Sequence, residues 1–126
     1  MREIEFRGQN INGHWAHGNL AIIKEKLDRA EIGAYISNSA GAPFAYQVRP
    51  ETIGQYTGLK DKNGKKIFEG DIGWDEHNEC YGVVKFEEGK FLYVWENIAE
   101  DLWEVADGIE IYGNIHGNPD LLEVAE

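Results

Sequence analysis

A chain of 126 residues that is 42% hydrophobic and 12% aromatic has enough apolar material for one core or two small ones, which excludes general disorder. One cysteine, Cys80, excludes an internal disulfide framework, and no run approaches the roughly 20 apolar residues of a membrane-spanning helix. The net charge of −11 gathers late, with six Lys/Arg against five Asp/Glu in residues 1–50 and six against eighteen in 51–126, a balance that disfavours nucleic acid and anionic membrane as partners.

The first segment, "REIEFRG", sets Glu3, Glu5 and Arg7 against Ile4 and Phe6, the period-2 pattern of a half-buried strand. The start "MREIEFRGQN" has no apolar core of the signal-peptide kind, so the expectation is a soluble, cytoplasmic protein. "QNING" offers a turn at Asn12-Gly13, and "HWAHGNLAII" resumes with Trp15 and an apolar run at 20–23; together they predict a hairpin. Residues 24–30 hold good helix formers for two turns at most, so a loop or one helical turn is expected before a strand at 31–36. "SNSAGAPF" breaks the chain, "FAYQV" is a short strand, and Pro50 stops it. The boundary between an N-terminal subdomain, 1–49, and a C-terminal one, 50–126, is placed there.

In "ETIGQYTGLKDKNGKKIFEGDI", residues 51–72, Asn63-Gly64 predicts a type I′ turn between "YTGLKD" and "KKIFEGD". Gly58 and Gly70 mark further turns, and Gly70-Asp71 opens the next strand with a carboxylate able to accept backbone N–H groups of its own turn. "YGVVKF", the turn "EEGK" and "FLYVW" form another hairpin, and "IEIYGNI" is a last strand. "NIAEDLWEVA" reads two ways, capping-box-like through Asn97 and Glu100 or strand-like through Leu102, Trp103 and Val105. In "GNPDLLEV", Asn118 and Pro119 predict one short helical turn. Short strands joined by tight turns predict a mainly β fold, a small barrel or sandwich.

The stretch "TIGQYTGLKDKNGKKIFEGDI" resembles the signature of the YopX family of small phage and prophage proteins. "MREIEFRG" with "HWAHG", and "IYGNIHGNPDLL", are similar to that family's opening and closing segments. The resemblance implies a C-terminal SH3-like β-barrel with a smaller N-terminal β-containing (α+β) subdomain. It also implies a phage or prophage setting in a bacterial host, and it brings no catalytic residues. Gly73-Trp74 departs from the pattern, since β-branched residues are expected after "GDI"; it is read as a bulge or an early strand end.

Chemistry is sparse beside these turns. "GLKDKNG" lacks the phosphate-loop pattern and precedes a strand, so Gly58, Gly64 and Gly70 are read as turn formers. His14 with His17 and His77 with Cys80 have metal-like spacings, but strand alternation separates the first pair and no cysteine knuckle surrounds the second. Cys80 lies in no hydrolase motif, and the paired acids Asp75/Glu76, Glu87/Glu88 and Glu100/Asp101 read as solvated edges and turns. No catalytic residue, cofactor or metal is assigned.

Aromatic residues crowd the second half, and from Phe68 onward the only cations are Lys85 and Lys90 against sixteen acids. The bland reading is an aromatic core under a solvated acidic surface. The sharper expectation is a non-enzymatic protein-interaction module in the bacterial cytoplasm, with Trp74, Tyr93, Trp95 and Trp103 as its surface and a host or phage protein as partner. Edge strands add self-association to that expectation. The alternative is an acidic mimic of nucleic acid that inhibits a host or competing-phage enzyme. Direct nucleic-acid binding ranks last, resting only on the cationic cluster at 60–66.

Overall fold

Eleven strands and one four-residue α-helix occupy residues 4–24, 33–37 and 45–122, the part of the chain that a computed structural model describes, and they make it mainly β. The chain divides into two units, Met1–Tyr56 and Thr57–Glu126. Among the described residues no helix is long and apolar enough to cross a membrane.

The first unit is an antiparallel sheet of β1 (Phe6–Gln9), β2 (Trp15–Ile23), β3 (Gly33–Ser37), β4 (Ala45–Val48) and the start of β5 (Gly54–Lys60), in the order β4-β3-β2-β1-β5. The expected β1–β2 hairpin turns at Asn10–His14, where Gly13 takes a φ of 86°. The helical turn expected at 24–30 and the break at 37–44 fall largely outside the described residues. Alternation sends Ala34, Ile36 and Val48 into a small core with Phe6, Ala16, Leu20 and Ile53. On the opposite face the Arg7 guanidinium lies 4.8 Å from the centre of the Trp15 ring. Gly8 is needed for space, because a Cβ there would stand 2.9 Å from the Cβ of Val48.

Pro50 stops β4 as its fixed φ suggests, yet it opens a 3₁₀ turn, Pro50–Thr52, inside this unit. The buried Thr52 hydroxyl accepts the Gln9 N–H at 2.8 Å and donates to the Arg49 carbonyl at 2.7 Å. Register pairs Arg7↔Gly54 and Phe6↔Gln55 then hold the following residues to β1, which carries the unit on to Tyr56.

The second unit contains the end of β5, β6 (Lys66–Phe68), β7 (Asp71–Asp75), β8 (Cys80–Glu87), β9 (Lys90–Trp95), β10 (Ile98–Asp101), α1 (Leu102–Val105) and β11 (Ile109–Asn114). Its five-stranded antiparallel sheet runs β10-β9-β8-β7-β11, a meander whose last strand returns to its first. Ile67, Val84, Tyr93, Leu102, Ala106, Ile109 and Ile111 form the core. "NIAEDLWEVA" divides contrary to both of its expected forms. The capping-box half is β10, because Ile98↔Trp95 pairing continues the β9 hairpin; the strand-like half starts α1, where Leu102 is buried and Trp103 exposed. The expected closing turn is present as a 3₁₀ segment, Pro119–Leu122, which starts at Pro119.

The Gly73 departure marks neither a strand end nor a bulge in β7. That strand runs to Asp75 in unbroken register with β8, and the irregularity lies across from it, between Ile111 and Gly113 of β11.

Candidate functional site

The central motif is a set of buried polar side chains that satisfy backbone groups. Thr57 donates its hydroxyl to the Ile67 carbonyl at 2.8 Å and accepts the Leu59 N–H across Gly58, whose φ is 85°. Asp61, also buried, accepts the N–H groups of Asn63 (2.8 Å) and Lys65 (2.9 Å) on one oxygen and of Ile111 (2.9 Å) on the other. Burial alone would raise its pKa, but those three N–H groups and the charge of Lys65 outweigh it and hold the carboxyl below its ordinary value. Asp71 accepts the Phe68 N–H at 2.7 Å, as the sequence predicts, beside Gly70 at a φ of 93°.

The type I′ turn predicted at Asn63-Gly64 is not the one formed. Positive φ falls on Gly64 (84°) and not on Asn63, with Gly64 N–H bonding the Asp61 carbonyl and Asp61 N–H the Lys65 carbonyl. This is a three-residue loop, a tight turn followed by a left-handed glycine, and the Asp61 carboxylate fixes it. The type I′ conformation occurs at Glu88-Gly89, with φ values of 53° and 81° between the paired residues Glu87 and Lys90.

Of the four aromatics expected at a surface, Tyr93 belongs to the core, with 0% exposure. Its ring covers the cross-strand pair Gly73↔Gly82, and its hydroxyl donates to the Gly73 carbonyl at 2.8 Å. A Cβ on Gly82 would lie 2.5 Å from the ring, so two glycines clear the slot that the tyrosine fills. Burial, then the nearby Asp75 charge, push the phenol pKa far up, and Tyr93 stays a neutral donor. Trp103 is 69% exposed on α1, while Trp74 and Trp95 are half-buried and line one groove.

That groove has a volume of about 690 Å³ and belongs wholly to the second unit. Alternation places Tyr93, Val84 and Gly82 toward the core, so Trp74, Tyr81, Val83 and Val94 form the opposite face of the sheet. Trp74 and Tyr81 are cross-strand partners in edge-to-face contact at 4.8 Å. Trp95 closes one end, its indole N–H donating to Glu100 at 2.8 Å. Leu121 and Leu122 of the 3₁₀ segment supply the far wall, and Asn114 with Asn118 position it: Asn114 accepts the His116 and Gly117 N–H groups, and Asn118 accepts that of Asn114. Glu79, Glu96 and Asp120 line the groove against one cation, Lys85.

Cys80 also lines it. Burial, then Asp75, Glu96 and Glu100, push its thiol pKa up and keep it protonated, a poor state for a nucleophile. His77 sits in the turn that Asp75 organises through the N–H groups of His77 and Asn78, while His14 and His17 lie in the first unit at and beyond the β1–β2 turn. Among the described residues no three His, Cys, Asp or Glu side chains gather where a metal could bind.

Sequence reasoning missed Thr52, Thr57, Asp61 and Asp75 as buried backbone acceptors, and Tyr81, Val83 and Val94 as groove residues. The available signal was the first group's chemistry: short polar side chains, Thr and Asp, are those that bond nearby backbone.

A crystal structure of protein EF1440 from Enterococcus faecalis has a similar fold, with a TM-score of 0.60 and 24% identity over 97% of this chain and 99% of that one. No curated protein matches the sequence. The family model described as YopX protein matches residues 5–123, and over nearly its whole length, therefore, the chain belongs to the YopX family.

Proposed function

We propose that the chain is a non-enzymatic protein-interaction module whose second unit receives a segment of another protein in the aromatic groove. The observation that carries this is the groove's build: about 690 Å³, floored by tryptophan, tyrosine and valine from three adjacent strands and edged by carboxylates. Its size lies within the roughly 300–1,000 Å³ of typical binding clefts. The acidic edge and the chain's charge of −11 complement a partner segment that is apolar and basic. The setting we propose, from the family resemblance, is a phage or prophage protein meeting a host or phage partner in the bacterial cytoplasm.

We read the second unit as an SH3-like barrel. Support comes from its connectivity, a four-strand meander, a helical turn at Leu102–Val105 and a last strand returning to the first. Further support comes from the edge strand β11, which is bonded by the Asp61 carboxylate and the Lys62 N–H. Self-association through the other edge, β10 with exposed Ile98, is a separate proposal, read by sedimentation.

A second reading is charge mimicry of nucleic acid, favoured by sixteen acids against two cations from Phe68 onward. The meander disperses them, however, with Glu76, Glu79 and Glu96 in turns at one end of the sheet and Glu88 in the turn at the other. The test is affinity capture by the tagged full chain from nuclease-treated host lysate, compared with Val83→Glu. The expected result is a protein whose recovery falls about tenfold or more with the variant and persists at high salt. Equal recovery by both chains overturns the groove, and loss at high salt from both favours mimicry.

A further inference from the structure

We propose that the segment bound in this groove presents an arginine beside its apolar side chains, seated at the Glu79–Glu96 end of the cleft. The inference rests on the interaction-module reading and adds the partner's chemistry and direction. β8 gives the groove its axis: Cys80 and Tyr81 begin the strand, Val83 lies midway, and Lys85 lies toward its other end. Glu79 immediately precedes Cys80, and Glu96 follows Trp95 in the turn at the same end of the meander. Two carboxylates therefore stand at one end of the cleft and its one lining cation toward the other, with Asp120 on the wall made by Pro119–Leu122.

Two independent features of the negative end fit a guanidinium. One is aromatic: the Trp74–Tyr81 pair and Trp95 offer ring surface on which a planar cation stacks. The other is electrostatic: Glu79 and Glu96 line that end of the groove, and the charges of Asp75, Glu96 and Glu100 add to burial in raising the Cys80 thiol pKa beside them. Arginine meets both demands at once, since its fork bonds a carboxylate bidentately while its plane lies on a ring; lysine supplies the charge without the fork or the plane. Lys85 at the opposite end repels a second cation and sets the segment's direction.

The test selects peptides from a random linear library on the immobilised full chain, with Val83→Glu as counter-selection. The best binder and its arginine-to-citrulline analogue are then titrated by tryptophan fluorescence against wild type and the Glu79→Gln/Glu96→Gln double variant. The expected result is a consensus of arginine flanked by apolar residues and about a tenfold weakening with citrulline. The double variant should remove that difference while its melting temperature is unchanged. Binders without a basic residue, or an equally tight citrulline analogue, overturn the arginine inference and leave the groove standing. If no peptide distinguishes wild type from Val83→Glu, both fail.

Discussion

Asp61 shows how one side chain organises the second unit. Its carboxylate ties a loop to itself and to β11, fifty residues away, through three backbone N–H groups. Asp61→Asn replaces an acceptor oxygen by a donor, and we expect a loss of about 2–3 kcal/mol, read by urea denaturation. The loss depends on pH. Because the folded carboxyl titrates below its ordinary 3.8, the stabilisation is present above that value and disappears as the pH falls through the lower folded value. The gap between wild type and variant should thus narrow on acidification. Tyr93 has the opposite sign: its pKa is raised, so its contribution is present below the ordinary 10.0 and is lost as the pH rises further. Tyr93→Phe should cost about 1 kcal/mol through the Gly73 carbonyl. Gly82→Ala should cost about 2 kcal/mol or more by overpacking against the ring. Neither glycine's role was legible in sequence. The alternation of β9 separated Tyr93 from Val94, but which face meets the core depends on a slot cut in β7 and β8.

At the scale of elements, most strands and both hairpins followed from period-2 patterns and glycine punctuation, because those signals are local. The loop at 61–65 did not, since Asn63-Gly64 competes with the carboxylate two residues before it, and the N–H groups of Asn63 and Lys65 donating to that carboxylate lengthen the loop. Gly64→Ala should cost about 1 kcal/mol and Asn63→Ala no more than about 0.5 kcal/mol, whereas a type I′ turn would penalise both. Glu88→Asn should raise stability by about 0.5 kcal/mol, because asparagine tolerates the left-handed backbone that Glu88 now holds at a φ of 53°. Thermal midpoints of the three variants check the assignment. Leu102 and Trp103 misled for a similar reason: in a run of apolar residues, periodicity over one turn does not separate a helix from a strand.

At the scale of the whole molecule, the family was legible because its central motif is contiguous, and the groove was not. The cleft joins β7, β8, β9 and the segment Pro119–Leu122, and only the folded meander brings them together. Trp103 was expected at the interaction surface and is exposed, but it lies outside the residues lining the groove. Trp103→Ala should change stability by less than about 0.5 kcal/mol and leave partner capture intact, and a loss of capture would relocate the contact to α1. The most direct measurement uses Cys80, the chain's single thiol, which lines the groove. Its alkylation by iodoacetamide is followed on the full chain at alkaline pH, which forms the thiolate despite its raised pKa, with increasing amounts of the captured protein. The groove predicts that the rate falls in step with the fraction bound. An unchanged rate at saturation would place the partner elsewhere and contradict the proposed function.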